Sequence, residues 1–339
     1  MSRHQGITAK DIALACDVSQ ATVSYVVNNT EGKRVSEAKR QQILKMAEEL
    51  NYFPNRSAKS MRQQTCSSVG LICGNNYDNT GFGDTLRGIK KSFDEAGYTL
   101  TILSDFNDPE RKEILRYFYS NSIAGVIYIA FDTQVIDTSV LDVNHIPYAL
   151  ISENGVSCNR FEPQKAFENV IRDCISFCHD NRLSRIRYFT RSINGRILHN
   201  KYDLIYKALH DLYPESDFQR IICDIRKKND EEITVPMERY LKNHDFDIAI
   251  TANQHFGLLM QNCILKNGFA LPQRPKHICL ASSPFLLMIY PQISSLKIPL
   301  YEMGCYAAEL MLALIHEEPI EERHFECQLI HGDTTLLED

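Results

Sequence analysis

From residue 68 onwards, short apolar runs alternate with longer amphipathic segments, and this alternation is the feature that most limits the fold. The first three apolar runs are residues 69–72, 100–103 and 126–129, and helical patterns over about 82–96 and 110–121 separate them. Regular strand–helix alternation predicts parallel, doubly wound sheets with helices on both faces. The pattern continues to about residue 280, which is too much chain for one such sheet, so we expect two lobes.

The first 50 residues carry a different pattern, with three short helices behind capping residues. Thr8, Ser19 and Ser36 each stand directly before a helical pattern, and Asp17 lies in the tight turn between the first two. Two short helices separated by three or four residues and braced by a third form a helix-turn-helix unit. The predicted core of this all-α unit consists of Ile12, Ala13, Ala15 or Cys16, Val23, Val26, Val27, Ile43, Met46, Ala47 and Leu50.

Charge is unevenly distributed along the chain. The net charge is −6, but residues 1–65 contain 10 Lys and Arg against 6 Asp and Glu, so this segment carries +4 and the remainder −10. A small basic segment on an acidic body is expected where only that segment meets phosphate. Chance variation over a short window is the alternative explanation.

Several classes of protein are not expected. No stretch reaches about 18 consecutive apolar residues, and the first residues lead into no apolar signal segment, so neither a membrane span nor secretion is predicted. The 11 scattered cysteines are typical of reduced thiols in a cytosolic protein. Cys174, Cys178 and His179 lack a second ligand pair, which favours buried thiols over a metal site. No catalytic or nucleotide-binding motif stands in the right context, so neither an enzyme nor a cofactor is expected.

The longest runs of residues that match a known protein family lie in the first 55 positions. They run over Ile7 to Ala13, Val18 to Ser24, Val27-Asn28, Val35 to Glu37 and Glu49 to Asn55. In order and spacing these residues resemble the lactose-repressor/galactose-repressor (LacI/GalR) family of bacterial transcription regulators. Weaker matches, such as Gly125-Val126-Ile127 and Glu302-Met303-Gly304, extend through the remaining chain. The resemblance implies a sequence-specific DNA-binding regulator, with repression favoured, that is controlled by a small-molecule effector.

The resemblance also implies a domain organisation. Residues 1–53 would form the helix-turn-helix head, 54–64 a hinge helix, and 65–339 a two-lobed domain like a periplasmic binding protein, for effector binding and dimerisation. The lobes are predicted as about 65–156 with 297–317, and about 157–296 with 318–339. The chain shows no heptad-bearing tail, so we expect a homodimer rather than a tetramer.

The second helix is the expected recognition helix, whose N-terminal residues lie nearest the base edges in the major groove. Base reading is therefore assigned to Gln20, Ala21 and Tyr25. The Gln20 amide can bond an adenine edge, the Ala21 methyl can contact a thymine methyl, and Tyr25 offers one hydroxyl. The family commonly has Arg where Tyr25 stands, so the usual guanine contact is not expected. Phosphate contacts, which set register, are assigned to Thr8, Ser19, Thr22, Ser24 and Asn28. For Thr8, a pure helix cap is an equally favoured interpretation.

The predicted hinge contains Asn55, Ser57, Ala58 and Met61. Alone, this segment is too short and polar for a stable helix, but in the family it becomes helical where two copies meet over the minor groove. Met61 stands where Leu is usual, and its unbranched side chain can wedge between base pairs. A solvated linker is the alternative. A further departure is Asp17, where the family prefers Gly for a left-handed residue; Asp tolerates that conformation better than most residues do.

The resemblance places an effector in a cleft between strand ends of the two lobes. The positions matched to effector contacts are Gly81, Phe82, Ser152, Arg191, Lys201, Asn253 and Ser282. Sugar-binding members usually carry acidic residues at 152 and 282 and Arg at 201, which grip hydroxyls. Two missing carboxylates and the added Arg191 favour an anionic metabolite as ligand. A neutral ligand such as a sugar, and a cleft that binds no small molecule, are the alternatives.

Two classes of function therefore compete. The first is a ligand-controlled regulator that binds a partly palindromic DNA operator as a homodimer, in the cytoplasm at the nucleoid. The second is a two-lobed solute-binding module or sugar-acting enzyme with no role on DNA. The head favours the first class, because neither alternative needs a DNA-reading helix.

Overall fold

The computed structural model describes most of the chain in two compact units, Met1–Thr65 and Cys66–Asp339. The described residues are 7–27, 35–50, 66–73, 80–104, 110–131, 136–161, 165–193, 196–197, 200–223, 230–243, 245–268 and 275–336. Asn28 lies outside the described residues, and so do the predicted hinge residues Asn55, Ser57, Ala58 and Met61. Within the described part of the chain, no helix is both long and apolar enough to span a bilayer.

The first unit is a three-helix head, with α1 at Ala9–Ala15, α2 at Gln20–Val27 and α3 at Glu37–Glu49. This confirms the predicted helix-turn-helix architecture. One fully buried side chain from each helix forms the centre of its core: Ile12, Val23 and Ile43. Cys16 is buried whereas Ala15 is exposed, and Val27, Met46 and Leu50 pack at the margin of the core.

The turn between α1 and α2 is held from α3. Asp17 has a φ of 48°, the left-handed conformation expected at this position. The Lys39 ammonium donates a hydrogen bond to the Cys16 carbonyl at 2.7 Å, satisfying a carbonyl at the C-terminus of α1. Ser36 occupies the predicted N-cap position of α3; its side chain makes no capping bond, and its carbonyl accepts from Arg40 N at 2.9 Å.

The second unit contains two sheets, and we call the regions around them the first and second lobes. The first sheet has the order β2-β1-β3-β4-β5. Its strands are β1 Ser68–Ile72, β2 Thr99–Ile102, β3 Val126–Ile129, β4 Tyr148–Ser152 and β5 Gly155–Cys158. Its connecting helices are α4 Thr80–Ala96, α5 Lys112–Tyr119 and α6 Ser139–Val143.

The second sheet has the order β12-β11-β10-β9-β6-β7, and β8 pairs with β6. Its strands are β6 Arg185–Ile193, β7 Arg196–Ile197, β8 Asp217–Cys223, β9 Ile248–Thr251, β10 Lys276–Cys279, β11 Ser294–Lys297 and β12 Gln328–Ile330. The helices of this part are α7 Ala166–Asp180, α8 Asn200–Leu212, α9 Asp230–Lys242, α10 Gln254–Lys266 and α11 Pro284–Met288.

The prediction of parallel, doubly wound sheets is confirmed for the interior strands, but both sheets are mixed. β5 runs antiparallel to β4, β7 to β6 and β12 to β11. A two-residue turn can join only antiparallel strands, because a parallel pair needs a long crossover. Ser152 pairs with Gly155 across such a turn, whose two residues are Glu153 and Asn154.

The chain passes between the lobes more than once. After β11, helix α12 (Leu300–Ile315) returns to the first lobe and packs on α4, β3, β4 and β5, before β12 completes the second sheet. A continuous hydrophobic cluster accordingly extends through both lobes. It includes Ile127 of β3, Ile250 of β9 and Met303 of α12, all essentially buried. The two lobes therefore share one core at the crossovers.

Helices α4 and α12 approach backbone to backbone through two glycines. A Cβ on Gly304 would lie 2.2 Å from the Thr85 carbonyl oxygen, and one on Gly88 would lie 2.1 Å from that of Tyr301. Neither backbone oxygen can move away as a flexible side chain could. The close approach of these helices thus depends on the absence of side chains at both positions.

We predict that Gly304→Ala destabilises the protein by about 2–3 kcal/mol, because the added methyl group overpacks the contact with α4. Urea unfolding followed by circular dichroism measures this change. Gly83→Ala is the matched control, since Gly83 lies on α4 with no neighbouring atom within 4 Å of an added Cβ. The control should gain roughly 0.5–1 kcal/mol from helix propensity. Equal stability of Gly304→Ala and the unsubstituted protein would contradict the close approach.

Candidate DNA interface and interlobe site

Helix α2 presents a polar face away from the core of the head. Val23 and Val26 are buried, whereas Gln20 and Ala21 are exposed and Tyr25 is half-buried. Residues three and four apart share a helix face, so positions 20, 21, 24 and 25 lie together. The predicted base-reading residues therefore occupy one outward surface at the N-terminal half of the helix.

The start of α2 is capped by Ser19. Its Oγ accepts a hydrogen bond from the Thr22 backbone N–H at 3.1 Å and lies 2.8 Å from the Thr22 hydroxyl oxygen. This cap leaves the positive end of the helix dipole close to exposed hydroxyls, an arrangement that favours an approaching anion. Thr22 and Ser24 are both partly exposed.

The start of α1 is organised by Thr8 and Asp11. The Thr8 hydroxyl donates to Asp11 Oδ2 at 2.7 Å, and the Thr8 backbone N–H donates to the same oxygen at 2.8 Å. These two hydrogen bonds hold the pKa of Asp11 below its usual value, the side-chain bond contributing most. Thr8 thus holds the N-cap position of α1 in a reciprocal pair with Asp11, and a phosphate would compete with the Asp11 carboxylate for the Thr8 hydroxyl.

The predicted effector residues of the second unit follow the carboxyl ends of strands in both lobes. In the first lobe, Gly81 and Phe82 lie in the first turn of α4 and Ser152 ends β4. In the second lobe, these positions are Lys201 at the start of α8, Asn253 after β9, Ser282 after β10, and Arg191 of β6, which pairs with Cys223 at the end of β8. The Arg191 side chain lies outside the described part of the structure. Carboxyl ends of parallel strands are where open α/β sheets bind ligands.

One ion pair joins the strand-end region of the first lobe to that of the second. Lys201 Nζ lies 3.3 Å from Glu153 Oε1, which belongs to the β4–β5 turn of the first lobe. The same ammonium donates to the carbonyl oxygens of Ala252 at 2.9 Å and Leu280 at 3.3 Å, at the ends of β9 and β10. It also lies 5.4 Å from the centre of the Phe167 ring. We call Glu153, Lys201, Ala252, Leu280 and Phe167 the interlobe site.

Sequence reasoning missed Glu153. Ser152 and Ser282 stand where sugar-binding relatives carry carboxylates, but Glu153, the residue after Ser152, supplies a carboxylate from the turn. Lys201 is therefore paired within the protein, and its charge does not by itself favour an anion. The sequence does show a carboxylate directly after the strand that ends at Ser152. Where its side chain lies depends on the antiparallel pairing of β5 with β4, which the sequence pattern did not reveal.

Two other predicted residues take structural roles at strand ends. Asn253 caps α10, with its side-chain oxygen accepting from Phe256 N at 3.0 Å. The Gly81 carbonyl accepts from the Thr85 hydroxyl at 2.9 Å inside the first turn of α4. Ser282 is partly exposed directly before Ser283, which caps α11. The contacts of Asn253 and Gly81 stabilise the first turns of α10 and α4.

The cysteine and histidine residues singled out on α7 do not converge. Cys174 and Cys178 are buried while His179 is exposed. Burial raises the pKa of the Cys178 thiol to about 12, so this thiol is protonated at neutral pH. Among the residues that the structure describes, no group of three or more His, Cys, Asp or Glu side chains is arranged to hold a metal ion.

Known bacterial transcription regulators resemble both the head and the chain as a whole. Residues 8–55 match the family model described as bacterial regulatory proteins, lacI family. The HTH-type transcriptional regulator RegA of Clostridium saccharobutylicum is 22% identical, over 96% of this chain and 98% of its own length. The ribose operon repressor of Bacillus subtilis is 26% identical, over 98% and 99%.

A solved structure shares the fold of nearly the whole chain. It is the lac repressor dimer bound to operator and the anti-inducer ONPF, with a TM-score of 0.78 and 16% identity over 98% of this chain and 100% of that one. The helix-turn-helix head thus matches the lacI family of bacterial regulatory proteins over residues 8–55, and nearly the whole chain shares the fold of the lac repressor.

Proposed function

We propose that this protein is a sequence-specific DNA-binding transcriptional regulator that acts as a homodimer and is controlled by a small molecule held between its lobes. The observation that carries the proposal is the outward face of α2, with Gln20, Ala21 and Tyr25 on a helix capped by Ser19. The proposed role is binding rather than catalysis, and the proposed location is the cytoplasm, at the nucleoid. The proposed domain limits are 1–53 for the head, 54–64 for the hinge and 65–339 for effector binding.

The head has the properties that DNA recognition requires. α2 offers side chains for base edges, and the capped helix starts offer hydroxyls and dipoles for phosphates. The basic balance of residues 1–65 adds a sequence-independent attraction to DNA. In a dimer, two copies of α2 would read half-sites about one helical turn apart, which implies a partly palindromic operator. Met61 in the proposed hinge would act in the minor groove between them.

The second unit supports effector control. The strand ends of its two lobes meet at the interlobe site, the place where a bound molecule can favour one lobe arrangement over another. A ligand shifts that equilibrium only by its difference in affinity for the two states. Relatives include a protein named as a ribose operon repressor, and a solved complex of similar fold is titled CelR–cellobiose, at a TM-score of 0.61. We therefore propose a sugar-like effector.

The base-reading assignment predicts that Gln20→Ala and Tyr25→Ala weaken specific binding by about 1–3 kcal/mol each, with much smaller losses on random DNA. The specific duplex is obtained by selecting binders from a random-sequence library with the unsubstituted protein. Fluorescence anisotropy at several salt concentrations then measures both affinities. Gln41→Ala is the matched control, because Gln41 is an exposed glutamine on α3 that donates to Glu37. Equal losses on specific and random duplexes would contradict the reading roles.

Two substitutions of Ser19 distinguish its role as a helix cap from its proposed contact with a phosphate. Asp caps a helix as well as Ser does, but its carboxylate repels a phosphate. We therefore expect Ser19→Asp to keep the hydrogen-exchange protection of the α2 amides while losing most of its affinity for any DNA. Ser19→Ala should lose about 1 kcal/mol of helix stability with a milder effect on DNA. Undiminished DNA binding by Ser19→Asp would remove Ser19 from the phosphate contacts.

A run of exposed apolar side chains in the second lobe supports the homodimer. On and after α11, Met288 is 76% exposed and Tyr290 is 79% exposed, and Phe285 and Leu287 are about half exposed. Four large apolar side chains within six residues of chain are unusual on a free surface and typical of an interface. We propose that a second copy of the chain covers this segment.

Met288→Glu is expected to shift the protein from dimer to monomer, because a buried charge at an apolar contact is strongly unfavourable. Sedimentation velocity over a range of concentrations measures the change, and operator affinity should fall with it. Val143→Glu is the control, since Val143 on α6 of the first lobe is 78% exposed. A Met288→Glu protein that sediments like the control would place the dimer contact elsewhere.

A further inference from the structure

The interlobe site contains a lysine whose donors are matched by protein oxygens. The ammonium of Lys201 has three N–H donors, and three oxygens lie within 3.3 Å of it: the carbonyls of Ala252 and Leu280 and the Glu153 carboxylate. The two carbonyls belong to the second lobe and the carboxylate to the first. The only formal negative charge among these three acceptors therefore comes from across the lobes.

The ion pair is largely shielded from water. The side chains of Lys201 and Glu153 are 13% and 17% exposed, and the ring of the buried Phe167 lies beside the ammonium. A pair in this setting is screened by salt much less than a surface pair. Loss of one partner leaves the other charge buried without a counter-ion, so that an ion of opposite charge is favoured in its place.

This geometry determines which ligands can reach Lys201. A phosphate or carboxylate group would have to displace Glu153 or lie beside it, and the two like charges repel each other. A hydroxyl group carries no charge and both donates and accepts, so it suits a carboxylate and an ammonium together. We propose that Glu153 is a specificity-determining residue of the interlobe site, acting as an internal counter-ion that excludes anionic ligands from Lys201.

The proposal deepens the proposed effector function and rests on it for the use of the site, but its test needs neither operator nor effector. Inorganic phosphate serves as the anionic probe, with sodium chloride at equal ionic strength as the reference. Thermal unfolding of the full-length protein is measured against phosphate concentration for the unsubstituted protein, Glu153→Gln and the double variant Glu153→Gln with Lys201→Met.

The matched control is Glu168→Gln. Glu168 also pairs with a lysine, Lys207, at 2.5 Å, but both residues lie on helices of the second lobe, α7 and α8. This variant removes the same charge and a Lys–Glu ion pair whose lysine is 58% exposed, without touching the interlobe site. Any general stabilisation by phosphate, and any phosphate bound by the head, is common to all four proteins.

We expect Glu153→Gln to gain a saturable, phosphate-dependent rise in Tm, with an apparent phosphate affinity about tenfold or more above that of the unsubstituted protein. Glu168→Gln should behave like the unsubstituted protein, and the double variant should lose the gain. Glu153→Ser, which also lacks the carboxylate, provides a second variant should Glu153→Gln fold poorly.

Three results would overturn the proposal. One is an identical phosphate response of the unsubstituted protein and both Glu153 variants. Another is an equal gain in Glu168→Gln, which would trace the effect to net charge. The third is saturable phosphate binding by the unsubstituted protein that is lost in a Lys201→Met single variant, which is measured for this purpose under the same conditions. Failure of the regulator function would instead appear as absent binding to selected duplexes, whatever the phosphate response.

Discussion

Parallel strands end at one edge of their sheet, and this constraint decides where the second unit can bind a ligand. Each lobe places the loops and helix starts that follow its strands at such an edge. One hydrophobic cluster extends through both lobes, so the two sheets are packed on a shared core. The pair of Lys201 and Glu153 forms where the edges meet, because one lobe supplies the cation and the other the anion.

The head depends on a different constraint, which is the size of its core. Three short helices bury few side chains, so Ile12, Val23 and Ile43 must be supported by caps and by polar ties. The bond from Lys39 to the Cys16 carbonyl and the cap by Ser19 supply such ties at both ends of the turn. They orient α2 while leaving the outer face of its N-terminal half exposed.

In the proposed function, a change in the arrangement of the two lobes would couple effector binding to the DNA-binding head. An ion pair across the lobes makes that arrangement depend on charge as well as on apolar packing. A molecule that enters the interlobe site has to satisfy an ammonium and a carboxylate whose mutual contact it interrupts. Selectivity for the effector and the balance between lobe arrangements would therefore be properties of the same few side chains.

The strands and helices with strong periodicity were predictable from the sequence, because apolar spacing directly reflects which face is buried. The three helices of the head were predictable from capping residues and apolar spacing, because these signals are local. The left-handed conformation of Asp17 was expected from the family resemblance. Several weaker elements were missed. The short β5 has no clear alternation, and α9 contains Pro236, a residue that normally ends a helix.

By itself, the sequence determined the helix-turn-helix head, the strand–helix alternation and the outward face of α2. Only the tertiary structure decided what surrounds Lys201. Its partner Glu153 lies in another lobe, on a turn whose direction is set by the antiparallel pairing of β5 with β4. Contacts between distant segments depend on how whole sheets pack together, and the local pattern around either residue carries no record of that packing.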